Sequence, residues 1–191
     1  YFDQYYFAAP RFGTTQSTGG MDVLALAEIM FNPNWSVYLL LRSEIREDEF
    51  MVMGIDGRDQ IKQGKERRSS IRAHLEYYLS SAIRLRSRLE LVQNQEAGAK
   101  RETGFLLYQD MRLQAFRKLR LDARITVFDT ESFDTRIYQF ESDLLYVLSN
   151  SVLYNQGQRI YMVLKYEPYS FMDIWFKYGV TVFEDTPVLG S

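Results

Sequence analysis

Three features of the sequence predict an all-β fold of long antiparallel strands. Apolar and charged residues alternate one for one over runs of roughly ten residues, the period of a strand with one apolar and one polar face. Tyr and Phe number 14 and 13 in 191 residues, and both favour pleated surfaces. The connections between the runs alternate short and long, as in a meander whose two ends differ.

The alternation is clearest in three places. In 82–92, Ile83, Leu85, Leu89 and Leu91 oppose Arg84, Arg86, Arg88 and Glu90. In 119–128, Leu121, Ala123, Ile125 and Val127 oppose Arg120, Asp122, Arg124 and Thr126. In 35–46, Trp35, Val37, Leu39, Leu41 and Ile45 oppose Ser36, Tyr38, Arg42, Glu44 and Arg46. Tight turns are read at Asn32-Pro33-Asn34, Ser80-Ser81, Ala115–Lys118 and Pro168–Ser170. Longer polar joins are read at Asp48–Arg68, Gln93–Glu102 and Asp129–Gln158. Eight strands follow, at 21–31, 35–47, 69–79, 82–92, 103–114, 119–128, 159–167 and 171–183. A rival remains for 65–97, where Ile71, Leu75, Tyr78, Ala82, Leu85, Leu89 and Val92 also stand at helical spacing.

Strands near ten residues match a tilted crossing of a bilayer, whereas sandwich strands average about 5–6. Short turns at one end and long loops at the other are a habit of membrane barrels. The expected architecture is therefore an antiparallel up-and-down transmembrane β-barrel, or an incomplete part of a larger one, in the bacterial outer membrane. Residues 1–191 are read as one region and 129–158 as a long extracellular loop, with room for a small hairpin or an inward-folded segment. Strand parity leaves the last strand ending outside near Thr186, so at least one closing strand is expected to be lacking. Residues 1–13 are read as part of another strand. Trp35, Tyr77, Tyr78, Tyr166, Tyr169, Phe171 and Trp175 suit the aromatic belts at headgroup depth. No uncharged apolar run reaches the 18 residues of a transmembrane helix. There is no cysteine and the formal net charge is −2, which excludes disulfide and thiolate-metal frameworks and gives no bulk pull toward nucleic acid.

From Gly104 onward the chain resembles a known family. The likeness is carried by Gly104-Phe-Leu-Leu-Tyr-Gln-Asp110, Leu119-Arg-Leu-Asp-Ala-Arg124 and Phe128-Asp-Thr-Glu-Ser-Phe-Asp-Thr-Arg-Ile-Tyr138. It continues through Glu141-Ser-Asp-Leu-Leu-Tyr146 and 159–166, with a looser match over 64–94. These stretches resemble the C-terminal outer-membrane region of bacterial proteins that carry competence-type helix-hairpin-helix repeats. The resemblance implies a barrel that ends in a further strand after a Gly-Ser-Gly loop, of which Leu189-Gly-Ser191 looks like the start. The repeats themselves are absent here, so the resemblance places no nucleic acid on these residues.

The polar face is the candidate site. Arg42, Glu44, Arg46, Arg72, His74, Glu76, Arg84, Arg86, Arg88, Glu90, Asp110, Arg112, Arg120, Asp122 and Arg124 are expected to point into one lumen. Mixed signs on adjacent strands permit cross-strand ion pairs that fill and stiffen the interior. An Arg-rich lumen that guides anionic solute is the second reading. Asp129, Glu131, Asp134, Glu141 and Asp143 fall in the outer loop, where oxygen ligands for a cation or simple loop-ordering bonds are both open. His74, the one histidine, is expected to pair with a carboxylate. Its alternative is a base beside Ser69, Ser70, Ser80 or Ser81, none of which sits in a nucleophile elbow. Gly104 and Gly179 read as kinks or bulges. The expected function is a non-enzymatic scaffold or channel subunit without cofactor or metal. Its partners would be outer-membrane lipid and other envelope proteins. The alternatives are a soluble ligand-binding barrel and a membrane hydrolase using His74.

Overall fold

Alternation drives the whole architecture. The computed structural model describes residues 1–10, 12, 14–53 and 58–184, without the side chains of 51–53. Among them there is no α-helix. The strands are β1 (Phe2–Phe7), β2 (Thr18–Asn32), β3 (Trp35–Met53), β4 (Asp59–Tyr78), β5 (Ile83–Gln95), β6 (Glu102–Phe116) and β7 (Leu119–Thr130), then β8 (Ile137–Phe140), β9 (Asn150–Leu153), β10 (Gln156–Tyr169) and β11 (Met172–Phe183). Nine of them form one antiparallel sheet in the order β1-β2-β3-β4-β5-β6-β7-β10-β11. The up-and-down meander thus agrees with the sequence reading. The helical alternative for 65–97 does not occur, because β4 and β5 occupy it and pair from Arg67↔Gln95 to Tyr78↔Arg84.

Three expectations are corrected. The sheet is open, with β1 and β11 as its two edges, and not a closed barrel. The polar stretch Asp48–Arg68 is not a loop: the β3–β4 ladder continues to Met53↔Asp59. Its residues looked like loop because both faces carry charge, yet opposite charges meet in register, as at Arg46↔Glu66 and Glu47↔Lys65. Gly104 and Gly179 make no bulge, since the irregular steps fall at Met30/Asn32, Gln114/Phe116 and Tyr166/Tyr169. The strand read in 1–13 is present as β1, paired with β2 from Phe2↔Val23 to Phe7↔Thr18. The turns at 33–34, 80–81, 117–118 and 170–171 all close one end of the sheet. Thr186 and Leu189-Gly-Ser191 lie outside the described residues.

The register stacks the outward positions into apolar rows. One runs Leu39–Ala73–Leu89–Leu107–Val127 across β3 to β7. The next runs Leu41–Ile71–Leu91–Phe105, and Ile125–Ile160–Val180 extends the face to β11. On β7 the band spans Leu119 to Val127, on β5 Ile83 to Leu91 and on β6 Phe105 to Leu113. Each of these is nine residues long, or about 30 Å along the strand at about 3.3 Å per residue. Leu89, Leu91, Leu107 and Ile125 are 44, 49, 50 and 46% exposed. Two polar residues interrupt the band, and both find partners: Ser87 donates to Gln109 at 2.6 Å, while the Gln109 amide donates to the Arg86 carbonyl at 3.3 Å.

The segment expected as an outer loop leaves the sheet and folds back over its other face. A 3-10 turn at Phe133–Thr135 leads into the β8–β9 hairpin, which pairs from Ile137↔Leu153 to Phe140↔Asn150. Ile137 and Leu153 seat on Val92, Leu106, Tyr108 and Phe128, with Phe183 alongside, to make a small core. Gly104 is what lets the insert come this close. A Cβ there would stand 2.9 Å from the Thr135 carbonyl oxygen and 2.9 Å from Thr130 Cγ2, and the first of these is backbone that cannot swing aside. Replacing Gly104 with Leu is therefore expected to lift the insert while the sheet stays paired. Faster proteolytic cleavage within 131–155 at unchanged far-ultraviolet circular dichroism would show it; unchanged cleavage would contradict the packing.

Candidate functional site

Every residue expected on the polar face lies on one face of the sheet, because the pairings keep them in phase. Glu76, Arg86, Asp110, Arg124 and Tyr161 form one cross-strand row. Tyr38, His74, Arg88, Tyr108, Thr126 and Arg159 form the next. Arg72 and Glu90 lead into Leu106 and Phe128 beyond it. Toward the short turns stands Arg84–Arg112–Asp122, followed by Arg120. Arg42, Glu44 and Arg46 complete the face on β3.

Three carboxylates on this face each gather two arginines. Asp110 accepts from Arg86 at 2.9 Å and from Arg124 at 2.5 and 3.1 Å. Glu90 takes Arg72 at 2.9 Å and Arg88. Asp122 takes Arg112 at 2.5 Å and lies 3.2 Å from Arg120. Arg42 chelates Asp22, with contacts at 3.0 and 2.6 Å, and lies near Glu44. Arg46 meets Glu66 at 2.5 Å. Asp110 is 1% exposed and Arg124 4%, so these charges are buried while leucines on the reverse face are open. Arg124 also covers the Tyr108 ring at 3.9 Å and lies 5.3 Å from the Tyr161 ring.

The insert completes the arrangement through its backbone. Among the described residues no strand pairs with the outer edge of β8, and arginines of the sheet donate to carbonyls along it and along the turn before it. Arg68 donates to the Asp134 carbonyl and, at 2.6 Å, to that of Arg136. Arg88 donates to Tyr138 at 3.2 Å and Arg124 to Phe140 at 2.7 Å. Alternate residues along an extended strand offer carbonyls on one side, and guanidiniums at successive levels of the sheet meet them. Below, Glu141 accepts from Arg159 at 2.5 and 2.9 Å and from Ser151 at 2.9 Å, with Lys177 at 3.2 Å. Asp143 takes Lys177 at 2.8 Å, and the Ser142 amide donates to the Tyr161 hydroxyl at 3.1 Å. Burial alone would raise the Glu141 carboxyl, but Arg159, Ser151 and Lys177 override it and hold it below its ordinary value. Asp143 is held low in the same way by Lys177 and Ser149.

Several expectations change. His74 has no carboxylate partner among the described residues: it stacks on Tyr38 at 4.7 Å and meets Tyr108 edge-on at 6.4 Å, opposite Arg88 in register. The outer-loop acids do not converge. Glu131 accepts from the Thr103 amide at 2.6 Å, Asp134 sits on the 3-10 turn, and Glu141 and Asp143 serve Arg159 and Lys177. No metal-holding group of acids and histidine occurs among the described residues. Trp175 faces the charged side, beside Arg120 and Lys165 at 5.4 and 5.2 Å, rather than a lipid belt. Tyr78 shares the face of Arg84. Trp35 and Tyr77 do stack on the apolar side at 4.0 Å.

Arg68, Arg159, Lys177, Tyr108 and Tyr161 were not singled out from sequence. Their parity was visible: 68, 70 and 72 continue one phase on β4, as 159 and 161 do on β10. Arg68 was hidden because its stretch read as loop. Beside the insert a cavity of about 460 Å³ remains, walled by Leu40, Arg42, Arg68, Arg72, Ile137 and Tyr138 among others. No family model, curated protein or solved structure matches the chain.

Two outcomes test this arrangement. Removing the guanidinium in Arg124→Ala leaves the buried Asp110 with Arg86 alone, and breaking a buried pair this way costs about 3–5 kcal/mol. Urea unfolding should show that loss, against about 0.5 kcal/mol or less for Lys100→Ala at the exposed rim. The acid limb has a defined sign. Because Glu141 and Asp143 titrate below their ordinary values of 4.5 and 3.8, their hold on the insert is complete above those values. It is lost as pH falls through the lowered ones. Proteolytic release of the insert should rise only in that acid range, and Glu141→Gln should flatten the response.

Proposed function

We propose that this chain is a membrane-spanning portion of a bacterial outer-membrane β-barrel that acts as a non-enzymatic scaffold or channel subunit. The observation that carries this reading is the inverted polarity of the sheet. Paired charges lie buried beneath the insert, and cross-strand rows of Leu, Ile, Val and Phe face outward. In water that band is an apolar surface far beyond what a monomer leaves open. In a bilayer it is the required surface, and its height along a tilted strand fits an apolar belt about 25 Å tall. The hydrogen bonds from Ser87 to Gln109 and from Gln109 to the Arg86 carbonyl suit the same solvent, which offers polar groups no other partner.

The open edges fit the reading only if they are completed. The first and ninth strands of an antiparallel meander run the same way, so β1 and β11 would have to meet as a parallel pair. A further odd number of strands restores antiparallel pairing throughout and an even total. Such strands would come from more of the same protein or from a partner in the envelope. The insert favours a filled interior over an open pore, and hence the scaffold role. In the helix-hairpin-helix family that the second half resembles, such a region would anchor a periplasmic nucleic-acid- or protein-binding part.

A charge placed on the outward band separates membrane from water. Leu107→Arg is expected to lower stability by about 2–4 kcal/mol in lipid vesicles, the cost near the bilayer midplane. On a soluble sheet an exposed position would tolerate the change within about 0.5 kcal/mol. A folded, monodisperse protein without detergent, indifferent to Leu107→Arg, would support the soluble ligand-binding barrel and overturn the membrane reading.

A further inference from the structure

At the short-turn end the polar face changes character. Three arginines stand there, Arg84, Arg112 and Arg120, and the Asp122 carboxylate reaches two of them. Arg84 and Arg112 stand directly opposite each other on β5 and β6, and like charges in that position repel. Asp122 answers Arg112 and Arg120 together. Arg84 has no hydrogen bond or ion pair with any described residue. The other acids at this end, Glu167 and Asp173, are both held by Lys165.

The donors tell the same story at the level of atoms. Arg84 Nε and the indole Nε1 of Trp175 are buried N–H groups with no hydrogen-bond acceptor among the described residues. Both belong to this end of the face, and Trp175 lies against Arg120. An indole N–H and a guanidinium only donate. Buried donors of this kind call for a partner rich in acceptor oxygens, and opposed guanidiniums call for one that is negative.

We infer that Arg84, Arg112 and Arg120, with Trp175 beside Arg120, form a binding site for a phosphate-bearing anion at the short-turn end of the polar face. The arginine forks match phosphate oxygens two at a time, and a doubly charged group would relieve the Arg84–Arg112 repulsion. The same chemistry is offered by a free phosphate compound and by a phospholipid headgroup. The site needs the face and not the membrane, so it stands apart from the functional reading above.

Trp35 and Trp175 are the two tryptophans of the chain, so Trp35→Phe leaves Trp175 as the reporter. The folded protein in neutral detergent is titrated with pyrophosphate, with sodium chloride at equal ionic strength as the reference. A parallel arm adds phosphatidic acid, with diacylglycerol as its uncharged reference. A saturable change in Trp175 emission with either phosphate source supports the site, and the arm that responds identifies the source. Loss of one charged donor in Arg84→Gln should weaken binding roughly tenfold or more. Arg84→Lys, which keeps the charge without the fork, should fall between and serves where the glutamine variant does not fold. In the absence of phosphate Arg84→Gln should unfold no earlier than the parent, since a repulsion is removed. A response that only tracks ionic strength, an adventitious ion only, overturns the proposal. So does an Arg84→Gln or Arg84→Lys variant that binds as tightly as the parent.

Discussion

Arg124 and Asp110 meet where the sheet, the insert and the aromatic side chains converge, and the rest of the molecule is arranged around making that burial tolerable. Taking both ions from water is costly unless geometry and further hydrogen bonds compensate. Here Asp110 has a second arginine in Arg86, and Arg124 has the Phe140 carbonyl and the Tyr108 face. The same pattern recurs at Glu90 and at Glu141. A sheet that buries its charges must put its apolar residues on the other side. The exposed Leu89 and Leu107 follow directly from the buried Arg88 and Asp110, because residues an odd number of positions apart in a strand point to opposite faces.

The insert solves a second problem with the same residues. A two-stranded hairpin is marginal by itself, and among the described residues no strand pairs with the outer edge of β8. Arginines at successive levels of the sheet serve that edge as a neighbouring strand would, through donors aimed at carbonyls. The apolar contribution is small and local, with Ile137 and Leu153 on Leu106 and Phe128. Gly104 supplies the clearance this packing needs. Electrostatics thus sets where the insert lies, and a few apolar contacts set how closely it lies.

Much of this could be read from residue order. Alternation in 82–92 and 119–128 identified the two faces, and the tight turns at Asn32-Pro33-Asn34 and Ser80-Ser81 set the meander. It failed where local composition imitates something else. The charged 48–68 stretch carries its pairing in cross-strand matches such as Arg46 with Glu66, which no window along one strand can show. Trp175 looked like a belt residue because its neighbours are aromatic, yet its phase places it with Lys177 and Thr181. His74 was expected beside a carboxylate of the mixed-charge face, whereas its cross-strand neighbours are Tyr38 and Arg88.

By itself the order of residues determined which side chains share a face, since a period of two leaves no freedom once a segment is extended. It determined an antiparallel meander as well, because short turns can join strands only that way. Only the tertiary structure decided which arginine meets which carboxylate, that the 131–155 segment lies on the charged face, and that the sheet stays open at β1 and β11. These depend on register and on contacts between residues far apart in the chain, such as Arg68 with Arg136 and Lys177 with Asp143. Their energies arise from distance in space and from shared burial, and neither quantity is written along the sequence.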